Sequence, residues 1–217
     1  MSDFIANIHK ELYEVSRAGD CARVRELLKD GADPVRYKDE KHGATALHEA
    51  ALNGHNEMVK TLIQAKCDLN VKNKYEITAL HLAAWNGHND VVKTLIQAKC
   101  DLDVKNKYGN TPLLNAATFG HNEVVKILIQ AKCNVHVKDD NFGKNALDWA
   151  AEKGHNEVVT TLIQANCDVN VKDENNDTLS TFYKDWVSLV ISQGQYDVVW
   201  KFLEKLPSSQ EKGEICI

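Results

Sequence analysis

An all-α solenoid of stacked helix–turn–helix units is the fold this sequence predicts, and three observations predict it. First, a block of text recurs at a fixed period. Thr45-Ala-Leu-His48, Thr78-Ala-Leu-His81, Thr111-Pro-Leu-Leu114 and Asn145-Ala-Leu-Asp148 open four units spaced 33, 33 and 34 residues. Second, a Gly-His pair (Gly54-His55, Gly87-His88, Gly120-His121, Gly154-His155) splits each block into two apolar stretches of helical spacing. Third, each stretch is too short to cover its own apolar face, so a unit must stack on its neighbours.

Residues Gly109–Cys133 show the unit most clearly. The spacing predicts a first helix beginning at Thr111, with Pro112 where a missing N–H costs nothing. Leu113, Ala116 and Ala117 follow at helical spacing, and after Gly120 so do Val124, Val125, Leu128 and Ile129.

In chain order, residues 4–38 read as a degenerate first unit. Leu12, Val15 and Ala18 with Gly19 match the first helix and turn, and Val24, Leu27 and Leu28 match the second helix. Polar Glu11, Glu14 and Arg17 suit an end unit with one face in water. Full units follow over about 39–71, 72–104, 105–137 and 138–171, the last with one extra residue in its opening loop, Lys138–Gly143. Then the period breaks, because Gly194-Gln195 stands 40 residues after Gly154. Asp177–Ile191 reads as a lengthened first helix, and Val198, Val199, Phe202 and Leu203 restore a second one ending before Pro207. Residues 173–206 are thus a C-terminal capping unit, and 4–206 a single solenoid domain. Residues 207–217 are expected to be disordered, and their final Ile215-Cys216-Ile217 resembles a hydrophobic C-terminal ligand of PDZ domains.

Composition narrows the function. A net charge of −5 with 26% charged residues leaves no strongly basic face, which argues against nucleic acid. No window approaches the apolar length of a membrane span, so no membrane insertion is expected. Met1–Leu12 lacks a basic segment followed by an apolar run, so no secretory signal is expected either. There is no phosphate-binding glycine loop, nucleophile elbow or H-E-x-x-H pair. Asp and Glu recur with the period, which marks them as framework or solvated surface. The chain reads as a non-enzyme, with no catalytic residue, metal ligand or cofactor.

Cys67, Cys100, Cys133 and Cys167 hold one repeat position. Stacked units sit roughly 8–10 Å apart, beyond the about 7 Å between Cα atoms that a disulfide tolerates, and too far to share a tetrahedral zinc. Small buried thiols in a reducing compartment are expected, all six cysteines staying reduced, which points to the cytoplasm. His48 and His81 are expected to brace turns by hydrogen bonding. His55, His88, His121 and His155, one per inner turn, are too far apart to bind a metal together.

Matches to the spaced pattern Thr-Pro-Leu-His, Ala-Ala, Gly-His, Val-Val and Leu-Ile, several of them recurring together in each of four units, resemble the ankyrin repeat over roughly residues 7–206. The resemblance implies helix pairs joined by β-hairpin-like loops. It implies a glycine after each second helix, where this chain has Lys66, Lys99, Lys132 and Asn166. It also implies that an oxygen-sensing asparaginyl hydroxylase reads the exit-loop slot held here by Asn70, Asp103, His136 and Asn170. Above all it implies a non-catalytic module that binds a partner protein.

In this family the hairpin tip, the residue beside the tip glycine and the exposed positions of the first helix are free to vary. The second unit has Lys41, His42, Ala44, Glu49, Leu52 and Asn53 there, and the third Lys74, Tyr75, Ile77, Leu82, Trp85 and Asn86. The fourth has Lys107, Tyr108, Asn110, Asn115, Thr118 and Phe119, and the fifth Asn141, Phe142, Lys144, Trp149, Glu152 and Lys153. Tyr75, Ile77, Leu82, Trp85, Asn86, Tyr108, Asn110, Thr118, Phe119, Phe142 and Trp149 are therefore the expected partner-binding set. Tyr75, Tyr108 and Phe142 would line one edge, with Trp85, Phe119 and Trp149 beside them. Tyr75, Trp85, Tyr108 and Phe119 would stand side by side on the concave face. The competing reading is structural: tip aromatics pack on the adjacent hairpin, and Trp149 lies under the cap. The protein is expected to act as a monomer, as an adaptor, a stoichiometric inhibitor of an enzyme, or a microbial effector acting on host signalling proteins. The nucleus and signal-less secretion, the latter for an effector, are the alternatives to the cytoplasm.

Overall fold

The computed structural model describes residues 2–169 and 180–206, and its contacts gather into two compact units, Met1–Lys107 and Tyr108–Ile217. Asn170, residues 173–179 of the capping unit and the 207–217 end, with its PDZ-like Ile215-Cys216-Ile217, lie outside the described residues. In the first unit, α1 (Ser2–Ala18), α3 (Ala46–Leu52) and α5 (Ala79–Trp85) alternate with α2 (Cys21–Lys29), α4 (Asn56–Gln64) and α6 (Asn89–Gln97). First helices stack on first helices, second on second, and each pair closes on itself. The second unit repeats this with α7 (Pro112–Thr118), α8 (Asn122–Gln130), α9 (Ala146–Glu152), α10 (Asn156–Gln164), α11 (Ser180–Ser192) and α12 (Tyr196–Lys205). This is the all-α stack that the period predicts. No β-strand occurs among the described residues; the loops are hairpin-like turns closed by main-chain bonds such as Asn73 N–H to Ile77 O (3.0 Å).

Small residues set how closely the first helices stack. Ala50, Ala51, Ala83 and Ala84 are fully buried in the first unit, as are Ala116 and Ala117 in the second, where a larger side chain would hold neighbouring helices apart. The second helices contribute the bulk: Val59, Leu62, Val92, Leu95, Val125 and Leu128 are all fully buried. The periodic text is thus a packing rule, small residues on the first helix and β-branched or Leu side chains on the second.

The first helices α3, α5, α7 and α9 each start on a side-chain cap. The imidazole Nδ1 of His48 accepts the N–H of Thr45 (3.1 Å), with Thr45 Oγ1 2.8 Å from the same nitrogen. Its Nε2 donates to the carbonyl of Ile77 (2.9 Å), in the loop of the next helix pair. That arrangement needs a neutral ring, and burial of His48 pushes its pKa down. Below the unfolded value of about 6.5 the unfolded chain takes up a proton that the native ring refuses, so stability present at higher pH is lost as pH falls. Chemical denaturation at pH 7.5 and 5.5 is expected to register lower stability at pH 5.5 from this histidine. His48→Leu, the residue the fourth unit carries at this slot as Leu114, should flatten that slope.

The inner turns use a device that periodicity alone does not reveal. The ring of His88 lies over Gly54 and its Nε2 bonds the carbonyl of Leu52 (3.0 Å); the ring of His155 does the same over Gly120 with the carbonyl of Thr118 (3.0 Å). Each histidine therefore clamps the turn before its own, and the glycine is bare because an imidazole occupies the space a Cβ would need.

Every repeat second helix ends in one motif. Lys66 N–H bonds Ile63 O (2.9 Å) and Cys67 N–H bonds Leu62 O (3.4 Å), and the same pair recurs at Lys99-Cys100, Lys132-Cys133 and Asn166-Cys167. This is the Schellman cap, whose second residue past the helix end tucks an apolar side chain against the last turn. The cysteine row is that apolar residue. The described cysteines stay as thiols, with Cys100, Cys133 and Cys167 buried. Burial pushes the Cys67 thiol up to about 11 and those of Cys100 and Cys167 up to about 12, so they are protonated and unreactive.

The motif also demands a left-handed residue. Lys66, Lys99, Lys132 and Asn166 hold φ between 59° and 66°, where the family has glycine. Replacing Lys99 or Lys132 by Gly is expected to raise stability by up to about 1 kcal/mol, read as a higher denaturation midpoint. Lower midpoints for both variants would contradict this.

The capping pair is built differently. α11 runs 13 residues against seven in α3, α5, α7 and α9, as the break in the period suggests. It buries Tyr183 and Trp186 against Phe202 of α12, with ring centroids 4.8 and 5.2 Å apart.

Candidate protein-binding face

Three of the tip loops are held by a carboxylate or amide side chain that collects backbone donors. Asn73 Oδ1 accepts the N–H groups of Tyr75 (2.8 Å) and Ile77 (3.0 Å). Asp39 gathers those of His42 and Ala44, and Asp139 those of Asn141 and Phe142. Adjacent tips are also tied main chain to main chain. Lys74 N–H bonds His42 O and Lys107 N–H bonds Tyr75 O in the first unit; Asp140 N–H bonds Tyr108 O in the second. With its backbone fixed on both sides, a tip residue can only turn its side chain outward. Glu76 has φ 58° in the tip position that Gly43, Gly109 and Gly143 fill elsewhere, its carboxylate paired with Lys72 at 3.0 Å.

In the first unit Tyr75 and Trp85 remain 40% and 45% exposed. Leu52, on the preceding first helix at the slot of Trp85, is 38% exposed, and His42 lies 6.2 Å from the Tyr75 ring. Ile77 and Leu82 are half-buried. Asn86 is exposed, but its side-chain amide donates to the carbonyl of Leu82 (2.9 Å), so it finishes its own helix.

In the second unit Tyr108, Phe119 and Phe142 are 47%, 43% and 50% exposed, while Asn110 and Thr118 are half-buried. Thr118 Oγ1 donates to the carbonyl of Leu114 (2.8 Å), another local bond. Trp149 serves the structure of the loop, since its indole N–H donates to Asp139 Oδ2 (2.8 Å), the carboxylate that shapes the tip. Phe142 meets its ring edge-on at 5.7 Å, and Lys144 Nζ lies 5.1 Å from its centroid. Three further variable positions are buried, contrary to expectation: Ala44, Glu49 and Asn115. Glu49 accepts a hydrogen bond from the hydroxyl of Tyr13 (2.9 Å), which α1 presents as it packs on α3.

In each unit, taken by itself, the exposed variable positions are aromatic with exposed Lys and Asn among them, and among the described residues no group of His, Cys, Asp and Glu is arranged to hold a metal. No helix among them is long and apolar enough to cross a membrane. A family model described as ankyrin repeats, in three copies, matches residues 12–106 and 80–173, together more than half of the chain. The chain belongs to the ankyrin-repeat family. Ankyrin repeats generally mediate protein–protein interaction and are typically non-catalytic, which agrees with a face of exposed rings on a tied-down backbone.

Proposed function

We propose that this ankyrin-repeat protein is a non-catalytic binding module that grips a partner protein through its hairpin tips and the exposed ends of its first helices. Tyr75, Ile77, Leu82, Trp85 and Asn86 are the contact residues of the first unit. Tyr108, Asn110, Thr118, Phe119, Phe142 and Trp149 are those of the second. The observation that carries this reading is the exposure of Tyr75, Trp85, Tyr108, Phe119 and Phe142 at slots with no packing duty in the repeat. Large rigid rings bring much apolar area at the cost of few rotors, which is what an interface centre requires. Protonated thiols at the helix exits are in keeping with a reducing compartment.

Trp85→Ala and Phe119→Ala, each titrated against a captured partner, are expected to weaken binding by roughly thirtyfold, about 2 kcal/mol. Trp149 supports a second reading of its own, because its indole N–H anchors Asp139. Trp149→Ala should lower stability more than it lowers affinity.

A further inference from the structure

Asn73 does with an amide what Asp39 does with a carboxylate: each collects the main-chain N–H groups that close a hairpin tip. The amide keeps the loop and removes a negative charge beside the lysines. Asn106 stands at the same slot in the third loop of the first unit. The three tip segments, 38–44, 71–77 and 104–107, consequently hold six lysines (38, 41, 72, 74, 105 and 107) against the carboxylates of Asp39, Glu40 and Glu76. Asp39 is turned onto its own loop's backbone, and Glu76 is paired with Lys72 at 3.0 Å. Lys74 reaches along Gly43 to the main-chain carbonyl of Glu40, a partner that leaves its charge uncancelled. Lys41 and Lys107 are exposed and form no ion pair among the described residues. A chain of net charge −5 thus carries a basic tip edge in its first unit, which the overall composition conceals. The helices behind the tips do not reverse the sign. α5 has no Asp, Glu, Lys or Arg, and α3 has only Glu49, buried and 3.8 Å from Arg17. What they expose is apolar: Leu52 and Trp85, at one slot of two helices packed on each other. In the second unit the tip segment 138–144 is balanced, with Lys138 and Lys144 against Asp139 and Asp140.

We propose that the first unit takes an acidic peptide segment of its partner, with apolar side chains on Leu52, Tyr75 and Trp85 and Asp or Glu side chains on Lys41, Lys74 and Lys107. This rests on the binding reading above and adds the partner's chemistry to it. Charge selects the occupant. Opposite charges across an interface speed encounter and reject wrong partners, and the remainder of this chain is net acidic and disfavours the same segment elsewhere. A lysine ammonium is a compact, strongly hydrated charge, suited to a wet rim around rings that bury. Successive units stand roughly 8–10 Å apart. Leu52 and Trp85 therefore ask for two apolar residues at that spacing, about two turns apart on a helix or three residues apart in a strand.

Selection of phage-displayed random peptides of about 16 residues on the full chain tests this. Enriched peptides are expected to be net negative with paired apolar residues. A synthetic peptide of enriched sequence should bind Lys41→Glu/Lys107→Glu about tenfold more weakly, and the wild type about tenfold more weakly when NaCl rises from about 50 to about 300 mM. Lys41→Gln/Lys107→Gln, which removes the charges without reversing them, should give a smaller loss, and neither variant should melt below the wild type. The same peptide with its Asp and Glu changed to Lys should prefer Lys41→Glu/Lys107→Glu. Trp85→Ala should weaken the original peptide too. Enriched peptides that need Trp85 but are neutral or basic overturn the proposal and leave the binding reading standing. Peptides indifferent to both Trp85→Ala and the lysine variants overturn both. An absence of enrichment overturns the acidic-peptide proposal, and so does tight binding of a poly-dT oligonucleotide that Lys41→Glu/Lys107→Glu abolishes, the latter in favour of nucleic acid.

Discussion

Gly54→Ala is expected to cost about 3 kcal/mol of stability, whereas the same change at Gly154 should cost only about 1 kcal/mol. Both glycines have φ +72°, so an alanine meets the same backbone penalty at either. They differ in what lies above them. A Cβ at Gly54 would stand 2.7 Å from His88 Nδ1 and 2.8 Å from its Cε1, whereas at Gly154 nothing among the described residues lies within 4 Å. The ring must swing away, and with it goes the bond from His88 Nε2 to Leu52 O. Urea denaturation of the two variants measures the difference, and equal losses would mean that the histidine clamp contributes nothing.

Trp186→Ala should be more damaging still, at about 4 kcal/mol, the usual cost of deleting a buried tryptophan. The indole is only 1% exposed, stacks edge-on to Phe202 and reaches Thr160 on α10. Its removal opens a cavity at the place where α11 and α12 are held to the repeat in front of them. Trp186→Phe keeps a ring against Phe202 and should lose much less. Denaturation of both variants, with limited proteolysis between α10 and α12, tests the point. A Trp186→Ala protein with unchanged stability and an intact cap would show that α11 and α12 dock without the indole.

The period made most of the fold legible, because what repeats is what every unit needs: Thr or Asn to open a helix, alanines where helices meet, glycine at the turn. Even the strained exits were readable, since lysine at a glycine slot must still adopt a left-handed backbone, and Lys66, Lys99 and Lys132 do. The candidate site was readable only in part. Whether a variable slot faces water depends on the neighbouring element, which one unit's own text does not describe. Glu49 sits in such a slot and is buried because the neighbouring α1 carries Tyr13 against it. Trp149 occupies a slot without framework duty in the repeat, yet its indole finds Asp139 ten residues earlier, across a loop lengthened by one residue. The clamp of His88 on Gly54 joins residues 34 apart, so each half looks complete within its own repeat.

Trp85 and Phe119 are the rings on which a division between folding and binding is most directly tested, by equilibrium denaturation and partner capture on the same preparation of Trp85→Ala/Phe119→Ala. Each ring is already more than two-fifths exposed, so the double variant should fold with a loss within about 1–2 kcal/mol. It should at the same time fail to retain the proteins that the wild-type chain retains. A double variant that keeps every partner while losing several kcal/mol of stability would contradict this, and would make these rings part of the packing.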